Sequence, residues 1–354
     1  MTLKEFFEEW NSASDEVLVH TSGSTGEPKP MRVSKERMLA SARMTCDFLG
    51  IDRGGKALLC LPLDYIAGKM MVVRALERGM EIIEAEQMTT PLALIPHPSS
   101  LIPHPSSLIQ LSAMVPMQVY NTLEVHEEAA RLRQIKHLLI GGGAISEKLE
   151  RKIVDFLNEQ KEVGCPIVWS TYGMTETLSH IALRRIDGSE DSKWYTPMTG
   201  VDVWLGRDET LTIHAPHICE RVLETHDVAV LQEDTDLTTG KTIKRFKIIG
   251  RTDNVICSGG LKIHAEEVER LLMNHLPKPF AISKCKDEKL GEEVVLLSEY
   301  GDLSECESIC RKVLPRHWVP RKFIYVEHIP MTPNGKIARA EAERLASQSP
   351  NPLF

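Results

Sequence analysis

The chain lacks several features that would define it quickly. No run of its 354 residues approaches the ~20 apolar positions that a membrane-spanning helix needs. The opening "MTLKEFFEEWNSASDE" is acidic and amphipathic, without the basic start and apolar centre of a secretory leader, so a cytoplasmic location is expected. There is no excess of basic charge. The formal net charge is -8, which argues against a polyanionic partner such as nucleic acid. The eight cysteines form no C-x-x-C pair, and most lie in apolar segments, so buried free thiols are expected rather than a zinc site or disulfide framework. A third copy of the tandem "LIPHPSS" at residues 94–107 is also missing. Two copies are too few for a solenoid, and proline at this density excludes helix and central strand. An exposed loop lengthened by duplication is expected there, with the spacing of His97 and His104 set by the repeat rather than by a metal.

What remains is a chain of ordinary globular composition, 42% hydrophobic and 26% charged, long enough for roughly two domains at ~150 residues each. Short apolar segments alternate with helical spacing. "EVLVH" (16–20), "KALLCLPL" (56–63), "HLLI" (137–140) and "PIVWS" (166–170) read as strands. Between them, a helix capped by Ser34 and ended by Gly50, a helix over 68–79, and one capped by Ser146 with Leu149, Ile153, Phe156 and Leu157 inward are expected. This alternation predicts an α/β fold with a mainly parallel sheet and ligands at the strand carboxyl ends. From about 194 to 250 short strands and turns predict a β-rich subdomain. The last hundred residues, with helices at 265–275 and 304–314, predict a small mobile α+β domain. The boundary is drawn at 252/253, giving a larger N-terminal domain over 1–252 and a small C-terminal domain over 253–354.

The segment "HTSGSTGEPKP" (20–30) follows the first strand. Glycines let a backbone approach phosphate closely, and hydroxyls and Lys29 add donors and charge. The spacing is not that of the Walker loop. "STYGMTET" (170–177) sets an aromatic ring, a threonine and a carboxylate at a strand end. There Tyr172 can stack on a base and Glu176 can hold Mg²⁺ beside phosphate oxygens. "IIGRTDNVICSGGLKIHAEEVE" (248–269) adds an arginine, a hinge candidate and a glycine pair. "MTPNGKIAR" (331–339) places a lysine on an Asn-Gly turn.

Taken in order, "TSGSTGEPK", "YGMTE", "GRTDN-ICSGG-KI-EVE" and "PNGK" resemble the adenylate-forming superfamily of acyl-CoA synthetases, adenylation domains and luciferases, over about residues 17–340. The resemblance implies that ATP activates a carboxylic acid to an acyl-adenylate, with release of pyrophosphate, before the acyl group passes to a thiol. It implies ATP contacts from Thr21, Ser22, Gly23, Ser24, Thr25, Gly26, Lys29, Gly142, Gly143, Tyr172, Gly173, Asp227 and Arg251. Thr175 would lie near the α-phosphate and Glu176 would reach Mg²⁺. Lys336 would bridge the α-phosphate and the carboxylate, Asp253 would be the hinge, and Gly259 and Gly260 would face CoA. Departures are visible as well. Only about twenty residues precede the phosphate loop, which leaves a partner protomer in a homodimer, or a smaller cleft, to compensate. The family's T-G-D is not literally present, so Asp227 in "LETHDVAV" and Asp236 compete for the ribose. Tyr65 stands in "LPLDYIAG" where relatives often carry histidine.

"LPLDYIAGKMMVVRAL", "GGGAISEKLE" and "YGMTETLSHIALRR" resemble, within that superfamily, the 2-succinylbenzoate–CoA ligases of menaquinone biosynthesis. Such an acid keeps a second carboxylate in the pocket, which needs donors or positive charge. Tyr65, Ser179, His180 and Arg184 are the expected acid-side residues. The rival expectations are a ligase for another acid, an adenylation protein loading a carrier in trans, and a non-catalytic nucleotide binder.

Overall fold

The computed structural model describes residues 1–20, 30–85, 91–92, 95, 108–143, 145–159, 166–235, 242–332 and 336–348. The phosphate-loop candidates from Thr21 to Lys29, the tandem repeat apart from Ile95, Cys165 and Asp236 lie outside the described residues.

The chain opens with α1 (Leu3–Trp10), whose Thr2 and Glu5 form a reciprocal capping box. Its Phe6 is fully buried and stacks on Trp10. Strands β1 (Glu16–His20) and β2 (Pro30–Ser34) pair antiparallel on either side of the glycine-rich segment. The buried Lys69 ammonium ties this entry together, donating to the Leu18 carbonyl at 2.5 Å and meeting Glu9 at 3.4 Å.

The main sheet has the order β4 (Glu81–Glu84), β3 (Lys56–Leu59), β5 (Ile109–Met114), β6 (Ile135–Ile140), β7 (Ile167–Gly173), β8 (His180–Arg185), β9 (Thr196–Pro197). The first five of these run parallel, and β8 and β9 are antiparallel additions. Helices α2 (Lys35–Leu49), α3 (Ile66–Arg78), α4 (Pro116–Glu124), α5 (His126–Leu132) and α6 (Glu147–Glu159) accompany it. Two apolar clusters form around it. One joins α1, α2, α3 and β8 to Phe246, and the other joins α4, α5 and α6 to β5 and β6. Mixed α/β architecture with a largely parallel sheet is therefore as the alternation predicts.

The β-rich stretch forms a four-stranded antiparallel sheet of β10 (Asp202–Leu205), β11 (Thr210–His214), β12 (Leu223–Thr235) and β13 (Thr242–Arg251). Beyond it, β14 (Val255–Ser258), β15 (Leu261–His264), β16 (Phe280–Asp287), β17 (Gly291–Ser298) and β18 (Lys322–Tyr325) make a further sheet, in which only β18 runs parallel to its neighbour. It packs with α7 (Ala265–Leu272), α8 (Leu303–Val313) and α9 (Arg339–Gln348) in two apolar clusters drawn from residues beyond 255.

Some boundaries differ from expectation. β3 stops at Leu59 instead of continuing through Leu63, and the Cys60 carbonyl just beyond it accepts from the Gln118 side chain at 3.2 Å. Helix α3 begins at Ile66, two residues early, and both α2 and α3 end on a left-handed glycine, Gly50 and Gly79. Ser34 occupies the N-cap position of α2 but its hydroxyl makes no cap bond, whereas Ser146 Oγ accepts from Leu149 N at 3.1 Å. Helix α7 ends at Leu272, short of the expected His275. The described cysteines are free, and all but Cys257 are buried.

Candidate active site

The carboxyl ends of β6 and β7 carry two of the expected ligand-facing segments. Gly142, just past β6, has φ +80° in the left-handed region, and Gly143 follows against Pro116. At the end of β7, Gly173 is held so close to the next turn that a Cβ would lie 2.3 Å from the Ser179 carbonyl and 2.5 Å from His180 Cα. No other residue fits there without moving backbone. The turn between them carries Thr175, Glu176 and Thr177 in one 3-10 turn. Thr177 Oγ1 closes it, accepting from Met174 N at 3.0 Å and donating to the Ser179 carbonyl at 2.7 Å. Leu178 follows with φ +62°, a strained conformation for a branched apolar residue, and it is buried. The strain reverses the chain so that Glu176 stays exposed while Ser179 and His180 turn inward. Glu176 has no hydrogen-bonding or ionic partner among the described residues, which leaves its carboxylate open to a cation.

Tyr172, Asp227, Arg251 and Asp253, chosen from three separate sequence segments, meet in one network. Tyr172 donates its hydroxyl to Asp227 Oδ2 at 2.6 Å. Arg251, opposite Asp227 in the β12–β13 register, donates to Asp227 Oδ1 at 2.9 Å and to Asp253 Oδ2 at 3.0 Å. His226 contacts the other Asp253 oxygen at 2.7 Å. Burial and the neighbouring Asp227 carboxylate both push the Tyr172 phenol well above its ordinary range. Burial opposes ionisation of Asp253, but bonds from Arg251 and His226 outweigh it and hold that carboxyl below its usual range. Tyr172 also packs edge-on to Phe246, with ring centroids 5.1 Å apart.

The acid side shows a residue that the sequence reading missed. Arg74, on α3, is 3% exposed, and its guanidinium donates to Ser179 Oγ and reaches Met71 Sδ at 3.7 Å. Its Nε has no partner, and no carboxylate among the described residues bonds or pairs with it. Burial pulls its pKa down to about 10. His180 is buried beside it, with Nδ1 3.3 Å from Ser179 Oγ and Nε2 3.0 Å from Thr45 Oγ1. Burial, and then the Arg74 charge, keep this imidazole neutral, well below its ordinary pKa. Arg184 is different. It forms a bidentate pair with Glu150, both distances 3.0 Å, and donates to the Ser192 carbonyl at 2.7 Å. Its donors are therefore already engaged with protein and do not join Ser179 and His180. Tyr65, at the N-cap of α3, is 40% exposed. A signal for Arg74 was present in the sequence, a single cation within the apolar run "MMVVRAL".

Gly259 and Gly260 form the β14–β15 turn, both with positive φ. Lys336 is exposed on a hairpin closed by a Met331–Ile337 bridge. Its carbonyl accepts from Thr332 N at 2.7 Å, and its N–H donates to Thr332 Oγ1 at 3.1 Å.

Residues 7–216, well over half of the chain, match the family model described as AMP-binding enzyme. The chain belongs to the AMP-binding enzyme family. Within that family it is an AMP-forming acid–CoA ligase. The 2-succinylbenzoate–CoA ligase of Enterococcus faecalis is 25% identical over 362 residues, covering 95% of this chain and 70% of that one. An acyl-CoA synthetase (AMP-forming)/AMP-acid ligase II-like protein from Dyadobacter fermentans is 29% identical, with a TM-score of 0.60, and the match covers 95% of this chain and 91% of that one. This family member also shares its fold with the o-succinylbenzoate CoA synthetase of Bacillus subtilis. The complex of that enzyme with the acyl-adenylate OSB-AMP matches at a TM-score of 0.74 and 20% identity, covering 95% of this chain and 70% of that one. Its complex with ATP and magnesium matches at 0.71 and 21%, covering 92% and 69%.

Proposed function

We propose that this ligase activates 2-succinylbenzoate with ATP and transfers the acyl group to CoA, a step of menaquinone biosynthesis. The observation that carries the reading is Arg74, a buried guanidinium that lacks a carboxylate partner among the described residues and lies beside Ser179 and His180. Burying an uncompensated cation costs several kcal/mol, on the order of what a charge-assisted pair with an incoming carboxylate returns. An acid with a second carboxylate would supply that partner, and a fatty acid would not. The relatives named 2-succinylbenzoate–CoA ligase support the same choice.

In the first half-reaction a carboxylate oxygen of the acid attacks the α-phosphorus of ATP, and the bond to the β-phosphate breaks with pyrophosphate leaving. Tyr172 is assigned to the adenine, and Asp227 with Arg251 to the ribose hydroxyls. The segment with Thr21 to Lys29 is assigned to the β- and γ-phosphates, and Gly142, Gly143 and Gly173 to close backbone approach. Thr175 is assigned to the α-phosphate. The carboxylate of Glu176, without a partner among the described residues, suits Mg²⁺, which favours one or two carboxylates together with phosphate oxygens and would neutralise charge on them. Lys336 contributes a positive charge aimed at the α-phosphate as negative charge shifts during attack. In the second half-reaction the CoA thiolate attacks the acyl carbon, a C–S bond forms and AMP leaves. Gly259 and Gly260 are assigned to the CoA side. The rotation between the two halves takes place at Asp253, with the domain boundary at 252/253.

The test is AMP release with 2-succinylbenzoate, benzoate and palmitate, each with ATP and CoA. 2-Succinylbenzoate should react far faster than the other two. Equal rates with palmitate would leave the ligase class and remove this substrate.

A further inference from the structure

The hairpin of Lys336 is fastened at its base by a partly buried ion pair that the reaction scheme above does not use. Arg339, the first residue of α9, lies three positions after the lysine. Its guanidinium forks onto Glu269 of α7, with Nη1 to Oε1 at 2.8 Å and Nη2 to Oε2 at 2.7 Å. Glu269 is 8% exposed. The same two side chains clasp the backbone of β16, since Ile282 N donates to Glu269 Oε1 at 2.8 Å and Arg339 donates to the Ile282 carbonyl at 2.9 Å. Arg339 also lies 3.6 Å from Glu266, and the other contact of that carboxylate is the Asn254 side-chain amide. Asn254 belongs to the 3-10 turn Thr252–Asn254 that contains the hinge candidate Asp253. A continuous polar chain thus runs from the hinge turn, through two carboxylates one helical turn apart on α7, to the base of the lysine hairpin.

We propose that Arg339 is a positioning residue for Lys336, coupling the lysine hairpin to the hinge turn through Glu266 and Glu269 so that both move as one body. This rests on the reading of Lys336 as the adenylation lysine. The hairpin has few other fixings among the described residues. Besides its own ladder and the Ala338 N–Pro330 carbonyl bond at 2.8 Å, Ile337 packs on the apolar cluster that holds Ile329, and Ile329 N donates to Glu299 at 2.8 Å; these seat the hairpin's apolar side, and the fork is its charged anchor toward α7. Without the fork the lysine would still be present, but its ammonium would sample positions away from the α-phosphate. A displacement of about 1 Å at a reacting centre can cost on the order of 10²-fold.

The test compares ATP–pyrophosphate exchange with thioester formation from supplied acyl-adenylate. The informative variant is Arg339→Met combined with Glu269→Gln, which removes both charges and leaves no lone buried ion. It should lower the exchange kcat by about 10- to 100-fold, with KM for ATP and acid within about twofold and thioester formation from supplied adenylate preserved. Added to Lys336→Ala, it should lower exchange no further, because both changes remove one contribution. A wild-type exchange rate, or an equal further loss on the Lys336→Ala background, overturns the proposal. If Lys336→Ala alone leaves exchange intact, the lysine reading fails first and the positioning role goes with it. Should the charge-free pair not fold, Arg339→Lys serves, since it keeps the charge without the fork. A several-fold loss of exchange at unchanged KM then supports the role, and a wild-type rate overturns it.

Discussion

Two arginines, Arg74 buried and Arg339 partly buried against a buried glutamate, lie in different parts of this ligase, and their surroundings are opposite. Arg339, beside the last sheet, has a carboxylate on both arms of its fork and a backbone carbonyl as well. Arg74, beside the main sheet, has a serine hydroxyl, a thioether and an unpartnered Nε. The first is satisfied by the fold. The second is charged at neutral pH, because burial lowers its pKa only to about 10, yet the described residues offer it no anion. A folded chain keeps such a group when something other than the chain completes it. On the proposed function, the paired arginine is part of the architecture and the one without an anion among the described residues is assigned to a ligand's charge.

The difference can be broken by mutation. The largest effect is expected from Arg339→Met alone, which strands the buried Glu269 and should lower unfolding free energy by about 3–5 kcal/mol in urea titration. Arg74→Met should leave stability unchanged or higher, because it removes an uncompensated charge, so an equal loss for both variants would erase the contrast. Next in size, Arg74→Met should lower kcat/KM for 2-succinylbenzoate by about 10- to 100-fold, the value of a charge-assisted contact of about 1.5–3 kcal/mol. Benzoate, lacking the second carboxylate, should be nearly unaffected.

Acidity sharpens the comparison further. His137, 3% exposed on β6, has its pKa pulled to about 4 by burial first and Lys136 second. The folded state keeps it neutral where the unfolded chain takes up a proton, so its stabilisation is present above pH 6.5 and is lost as pH falls toward 4. Between pH 7 and 5 it should cost about 2 kcal/mol in a urea titration. His180, also held neutral, adds to the loss. Over pH 6–8, by contrast, KM for the acid should stay flat, because Arg74 stays charged throughout that range. The smallest effect is expected at Arg184, whose guanidinium is taken by Glu150. Arg184→Lys should change KM for the acid less than about twofold.

Much of this arrangement was legible in the sequence. Gly50 and Gly79 end their helices because only glycine accepts the left-handed backbone cheaply, and that signal is local. "YGMTE" and "GRTDN" were readable as segments, and Tyr172, Arg251 and Asp253 do meet. Their contact through Asp227 depends on the β12–β13 register, which local spacing does not encode. Arg184 was nominated for its place after "YGMTET", but Glu150, 34 residues earlier, takes its donors. Arg74 escaped notice for the complementary reason. Its helix reads as apolar core, and only the packing of α3 against Ser179 reveals a charge with no carboxylate beside it among the described residues.

The most direct measurement is kcat/KM for 2-succinylbenzoate and for benzoate, by AMP release, in the wild-type enzyme and in Arg74→Met. Wild type should prefer 2-succinylbenzoate strongly, and Arg74→Met should lose most of that preference by losing the dicarboxylate alone, while its melting curve stays at or above wild type. A variant that keeps the full preference would contradict the assignment of Arg74 to the second carboxylate.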